Sequence, residues 1–328
     1  MLLGGSIYDV IIVGAGPAGM TSGIYTSRRN LKTLILSKVL GGQVINCPRV
    51  ENYPGFKAVE GLELMKNFEE QVKGFGVEII YQGVEEIKEE NGKFIVKTMG
   101  KEYESKTVIL AFGKTPKKLN VPGEKEFQGK GVSYCATCDA YFFKGKIVAV
   151  VGGGNAALDA ALLLSGIVKK VYLIHRRDKF RGFESMIREV KNRENIEFIL
   201  DSVVTEILGE DVMKSLNIKN VKTEETKKLD VDGVFIEIGS VVKTDLVKDL
   251  VKFDKYNYIV INNNCETFYP STDNIRPGIF AAGDITNTPF KQIIVASGEG
   301  AKAGLQVYNY IHGIKSQVLI TDWKKTMK

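Results

Sequence analysis

One pattern occurs twice in this chain. Near its start the apolar run at 10–13 leads into Gly14-Ala15-Gly16-Pro17-Ala18-Gly19. Residues 20–29 then read as a helix and 32–37 as a second strand. Farther on, Ile147–Val151 leads into Gly152-Gly153-Gly154-Asn155-Ala156-Ala157, a helix over about Asn155–Ser165, and a strand within 169–177. An apolar run without alternation predicts a strand buried on both faces. Strand, GxGxxG or GxGxxA, helix and strand form a dinucleotide-binding βαβ unit. Its glycines permit the tight turn, the approach of a pyrophosphate and close helix–strand packing. A lone match is weak. Two, each between a buried strand and a helix, predict two dinucleotide sites.

The repeat extends beyond the glycines. Each unit is followed by alternating strands that read as an antiparallel ribbon, the first with an Asn91-Gly92 hairpin signal. A further apolar strand at 279–282 ends in Gly283-Asp284, and a long helix follows over about 291–311. The expected fold is α/β, with two Rossmann-like, three-layer ββα dinucleotide-binding domains, the second inserted in the first. The first domain would take residues 1–116 and 246–328, and the second 117–245. A chain of 328 residues suits two domains. Hydrophobic residues at 44% and charged residues at 26% fit a soluble globular protein. The net charge of +6 is spread along the chain without the clustering of a nucleic-acid footprint, so no nucleic-acid partner is expected. No apolar run approaches the ~20 residues that span a bilayer, and the N-terminus lacks the basic region of a signal peptide. A cytoplasmic protein without a membrane partner is expected.

The two units differ in charge. A Rossmann unit normally has an acid at the end of its second strand for the ribose hydroxyls. The second unit has His175-Arg176-Arg177 there, with Arg181 beyond. Guanidinium forks match a 2′-phosphate, which favours NADPH over NADH; the alternative is a solvated basic strand end. The first unit reaches Ser37 with no such acid. Gly41-Gly42-Gln43 offers a compact turn instead, and Asp284 places a carboxylate at a strand's C-terminal edge, where open α/β sheets bind ligands. The helix beginning near Lys291 directs its positive dipole end there, which suits the electron-rich end of a reduced flavin.

Between the units lies the stretch 133–143, SYCATCDAYFF. A CxxC in a cytosolic chain points to redox chemistry or metal. Zinc needs four ligands, and the remaining candidates, Cys47, Cys265, His175 and His312, are single and unpaired by spacing. Cys47 and Cys265 read as ordinary small residues. Asp139 reads as an acid or as a helix N-cap, and Tyr141, Phe142 and Phe143 as core packing.

The series GxGxxG, GGQ, VENYPG, CATCD, GGGNAA, HRRxxxR and GIFAAGD…KQ, in that order, resembles the low-molecular-weight thioredoxin reductases of the pyridine nucleotide-disulfide oxidoreductase family. The resemblance covers about 8–311. It implies an FAD enzyme that takes hydride from NADPH and reduces thioredoxin or a thioredoxin-like disulfide protein. It also implies a homodimer whose NADPH domain rotates between two orientations. Carried over, Gly14, Gly16, Pro17 and Ala18 would meet the FAD pyrophosphate, and Gly42, Gln43 and Asn52 the flavin and ribityl. Ala111 and Gly113 would belong to the same site, with Asp284, Gln292 and Ile293 at the ribityl and isoalloxazine. Gly154, Asn155, Ala156, Ala157 and Asp159 would meet NADPH, with His175, Arg176, Arg177 and Arg181 at its adenosine phosphate end. Cys138 would be the sulfur nearer the flavin, Cys135 the one that attacks thioredoxin, and Asp139 the acid. Phe112, Lys291, Gly182 and Ala140 depart from the family's usual residues. Related enzymes that use NADH, ferredoxin or a glutaredoxin-like partner remain alternatives. A ferredoxin–NADP reductase of similar fold would lack the CxxC.

Overall fold

The computed structural model describes residues 7–47, 49–242 and 244–314. Residues 1–6, 48, 243 and 315–328 of the spans expected from sequence lie outside the described residues. The chain divides into two compact units, Met1–Lys114 with Val242–Lys328, and Thr115–Val241. In chain order the first unit opens with β1 (Tyr8–Ala15), α1 (Pro17–Ser27), β2 (Thr33–Leu40), α2 (Gly61–Gly74) and β3 (Glu78–Ile80). The strands β4 (Val84–Glu90), β5 (Lys93–Thr98) and β6 (Lys101–Leu110) follow. The second unit runs through β7 (Thr115–Pro116), β8 (Val132–Ser133), α3 (Ala136–Asp139), β9 (Ile147–Val151), α4 (Asn155–Ser165), β10 (Lys170–Ile174) and α5 (Glu184–Lys191). It continues with β11 (Ile196–Ile199), β12 (Ser202–Gly209), β13 (Met213–Asn220), β14 (Thr226–Asp230), β15 (Gly233–Ile236) and β16 (Ser240–Val241). The chain then returns to the first unit for β17 (Glu266–Phe268), β18 (Ile275–Ala281) and α6 (Ile293–Ile311). The unit boundaries fall where they do because β7 pairs with β16, so both connecting segments begin and end in one short ladder.

The period-2 geometry of a strand explains why β1 is apolar throughout. Val10 and Ile12 face one core with Met20 and Ile24 of α1 and Ala303 and Val307 of α6. Ile11 and Val13 face another with Ile87, Phe94 and Val96 of the β4–β5 ribbon. The sheet order is β17-β18-β6-β1-β2-β3, and β6 is shared between the parallel sheet and the antiparallel ribbon. The hairpin expected at Asn91-Gly92 forms, with φ of +51° and +74°, as its type of turn requires. The second unit repeats the plan. The parallel sheet β11-β10-β9-β15-β8 has Val148 and Val150 against α4, and Ala149 and Val151 against the β12-β13-β14 ribbon. Each unit is therefore a three-layer sandwich of helices, parallel sheet and ribbon. The first helix starts at Pro17, earlier than expected, since proline's fixed φ suits the first helical position.

Candidate redox and dinucleotide sites

In the first unit the loops after β1 and β2 converge. Gly14 has φ +118°, and a Cβ there would lie 2.3 Å from the Ala111 carbonyl oxygen. A Cβ on Gly19 would lie 1.9 Å from the Gly14 oxygen, so α1 packs directly on the turn. Gly16 has no heavy atom nearer its Cβ position than the Gly41 oxygen at 4.0 Å, and Gly42 (φ +59°) stands beside it. These two expose backbone to an incoming group. Pro17 and Ala18 open α1, whose N-terminus has neither a side-chain cap nor an acid in its first turn. Its orphan donors are available to an anion. Ala111 is buried, its N–H bound to the Val13 carbonyl at 2.8 Å, and Gly113 (φ +62°) has open space around it. Gln43 is exposed.

Asn52 and Gln292 meet although far apart in sequence: Asn52 Nδ2 donates to Gln292 Oε1 at 3.2 Å. Gln292 is the N-cap residue of α6 and Ile293 its first residue, and this helix also lacks a side-chain cap. Asp284 follows the turn after β18. Burial raises its pKa, opposed by Lys114 and Lys291, and among the described residues none donates a hydrogen bond to its carboxylate. Lys291 is itself pushed down to about 8 by burial. Its Nζ donates to the Thr286 carbonyl at 2.6 Å and lies 4.4 Å from the centre of the Tyr258 ring.

In the second unit a Cβ on Gly152 would lie 2.4 Å from the Glu237 oxygen and 2.6 Å from the Cβ of Ala157, which is buried against the loop. Around Gly154 there is open space, and α4 begins there uncapped. Ala156 and Asp159 are exposed on α4. Asn155 Oδ1 accepts from the Phe183 N–H at 2.8 Å, and the Gly153 carbonyl accepts from the Arg181 N–H at 2.7 Å. The arginine loop is thus tied to the glycine loop at two points. Arg176, Arg177 and Arg181 are exposed. His175 is placed differently. It is 5% exposed, its ring lies under Gly153, and it stacks on Phe180 with centroids 5.5 Å apart. Burial lowers its pKa and so favours the neutral ring, which packs as a pedestal beneath the loop.

Cys135 and Cys138 form a disulfide across the start of α3, with Cα atoms 5.3 Å apart. Ser133 Oγ donates to Asp139 Oδ2 at 2.7 Å and accepts from the Cys135 N–H at 3.1 Å. Asp139 Oδ1 is buried without a hydrogen-bond partner. Burial raises the Asp139 pKa, with the Ser133 bond acting against it. The N-cap alternative for Asp139 fails, since its side chain makes no cap hydrogen bond. Phe143 packs edge-on against Phe235 at 5.2 Å, whereas Tyr141, expected in the core, is 65% exposed. A three-residue 3₁₀ register puts these neighbours on different sides. Sequence reasoning passed over Ser133, although its partners Cys135 and Asp139 lie within six residues, and Lys114 and Glu299, which meet residues of other elements. A disulfide beside a buried, protonatable carboxyl can take up two electrons and two protons to become a dithiol.

The model of the pyridine nucleotide-disulphide oxidoreductase family matches residues 8–300. The chain is 40% identical over 311 residues to the thioredoxin reductase of Bacillus subtilis, covering 94% of this chain and 96% of that one. Among solved structures it resembles thioredoxin reductase from Streptococcus pyogenes, at 40% identity and a TM-score of 0.88, covering 94% and 99% of the two chains. Thioredoxin reductase from Giardia duodenalis gives 35% and 0.87, with coverage of 94% and 100%. The chain belongs to the pyridine nucleotide-disulphide oxidoreductase family.

Proposed function

We propose that this chain is an NADPH-dependent flavoprotein that reduces the disulfide of thioredoxin or a thioredoxin-like protein. The observation that carries the reading is the Cys135–Cys138 disulfide with Asp139 next to it in the chain, whose buried Oδ1 has no hydrogen-bond partner among the described residues. The first unit would hold FAD. Gly16 and Gly42 leave room at the backbone, the N-termini of α1 and α6 have uncapped donors, and the Asp284 carboxylate, which has no hydrogen-bond donor among the described residues, suits a ribityl hydroxyl. The second unit would hold NADPH. Gly154 stands in open space at the uncapped N-terminus of α4. Among the described residues Arg176, Arg177 and Arg181 form no ion pair, and Arg forks suit a 2′-phosphate.

Bound FAD supplies the two-electron link between NADPH and the disulfide. The chain's own residues then act as follows. Reduction breaks the Cys135–Cys138 bond and leaves two thiols. Cys135 gives its proton to solvent, and its thiolate attacks the partner's disulfide, releasing one partner sulfur as a thiolate that takes a proton back from solvent. Cys138, giving up its proton, attacks the mixed disulfide and restores the Cys135–Cys138 bond, and the partner's second sulfur leaves as a thiolate that takes a proton from solvent, so the partner departs as a dithiol. Asp139, its proton held by burial, gives that proton to the Cys138 thiolate when the internal disulfide opens and recovers it when the bond re-forms. The reading places the enzyme in the cytoplasm as a homodimer. No helix among the described residues is long and apolar enough to cross a membrane. The test is anaerobic bleaching of the holoprotein's flavin by NADPH and NADH in parallel, followed by turnover with thioredoxin. Bleaching by NADPH with turnover supports the reading. Flavin that stays oxidised with both nucleotides contradicts it and turns attention to reduced ferredoxin as donor.

A further inference from the structure

Glu299 lies in the second turn of α6 and is 7% exposed. Its carboxylate meets the segment that follows β18. The Gly283 N–H donates to Oε2 at 2.6 Å, the Thr286 hydroxyl lies 3.2 Å from the same oxygen, and the Thr288 hydroxyl donates to Oε1. The Thr286 hydroxyl also lies 2.9 Å from the Gly283 carbonyl, so its one proton is shared between two acceptors. From the other side, Lys291 holds the Thr286 carbonyl. Gly283 has φ +84°, and a Cβ there would sit 3.0 Å from the Ala18 Cβ. The turn is thereby pinned to α1, to α6 and to itself. Among the described residues every hydrogen-bond donor to the Glu299 side chain is neutral, an expensive way to bury a carboxylate when an apolar side chain could fill the space. With Gly283 N–H committed to Glu299, the next residue, Asp284, keeps a carboxylate without a donor from the described residues.

We propose that Glu299 is a positioning residue for the flavin: it fixes the turn at 283–288 so that Asp284 presents its carboxylate to the ribityl chain. The proposal rests on the FAD reading of the first unit. It requires Glu299 to act through Asp284, which a merely structural role does not. The test uses the full chain stripped of flavin and titrated with FAD, as wild type, Glu299→Gln, Asp284→Asn and the double variant. Glu299→Gln is expected to weaken FAD on the order of tenfold or more, with NADPH affinity unchanged. The double variant is expected to bind FAD no more weakly than Asp284→Asn alone, the non-additivity of two residues in one network. Independent losses that multiply in the double variant, or wild-type FAD affinity in Glu299→Gln, would overturn it. Should Glu299→Gln fail to fold, Thr288→Val removes one donor and leaves two. The same cycle with Asp284→Asn then decides by the same criterion. A wild-type apoprotein that takes up no FAD would overturn the flavin reading itself, and this proposal with it.

Discussion

Two adjacent glycines in the second unit separate coenzyme recognition from folding. At Gly154 the backbone has φ −102° and ψ −176°, which any residue adopts, and no heavy atom lies within 4 Å of its Cβ position. Gly154→Ala therefore folds, at a cost below about 1 kcal/mol for an alanine N-cap. A pyrophosphate resting on that backbone would meet the new methyl. Losing ~1.4–2.8 kcal/mol of its contacts weakens NADPH about 10- to 100-fold. At Gly153 the added Cβ would lie 2.2, 2.3 and 2.4 Å from three atoms of the His175 ring. That ring is buried and stacked on Phe180, so it has nowhere to go without moving the loop. Overpacking of this kind costs ~1–3 kcal/mol. Gly153→Ala therefore lowers stability and coenzyme affinity together. The assay is paired: thermal unfolding of the apoprotein, and anaerobic NADPH titration of the holoprotein. Wild-type NADPH affinity in Gly154→Ala, or a stability loss there equal to that of Gly153→Ala, would mean that the two glycines do not divide coenzyme binding from folding.

Cys138→Ser should leave flavin reduction by NADPH intact and abolish thioredoxin reduction; retained turnover with a protein disulfide contradicts the assigned roles. Replacing Arg176 and Arg181 with Ala should weaken NADPH far more than NADH, and equal losses would mean that the basic loop does not read the 2′-phosphate. Asp139 has a folded-state pKa raised by burial, so it favours folding while protonated and loses that contribution as pH rises through the raised value. Melting curves of Asp139→Asn and wild type should therefore converge at acid pH and separate at neutral pH with the variant the more stable, while its thioredoxin turnover falls. Parallel pH profiles would count against the buried acid. Cys265 is fully buried and its thiol is pushed up to about 12 by burial. It should resist alkylation at pH 8 until the protein unfolds, and rapid labelling of Cys265 in the native protein would contradict its placement.

The fold was legible wherever burial imposes a period on the sequence. The apolar run of β1 was readable because both its faces are covered, and the Asn91-Gly92 turn because its positive φ values select those residue types. Glycine spacing was legible for the same reason, since contacts such as Gly19 against the Gly14 oxygen admit no side chain. What escaped were side-chain directions and long-range partners. His175 sits in a run of basic residues that looks uniformly solvated, yet the glycine loop closes over it and buries the ring. Tyr141 and Phe143 look alike in sequence and end on opposite sides of a short helical turn. The Asn52–Gln292 bond joins segments distant along the chain, and the grip of Glu299 on the 283–288 turn spans two elements, so no local pattern encodes either.

The proposed function requires that electrons from NADPH reach the Cys135–Cys138 disulfide. It is tested most directly by anaerobic titration of the holoprotein with NADPH, with thiols counted at the end. Two equivalents of NADPH per chain are expected at full reduction, one for the flavin and one for the disulfide, with two new thiols in the wild type. A Cys135→Ser, Cys138→Ser variant should take one equivalent and gain none. Full flavin reduction in the wild type after one equivalent, with no thiols appearing, would contradict it.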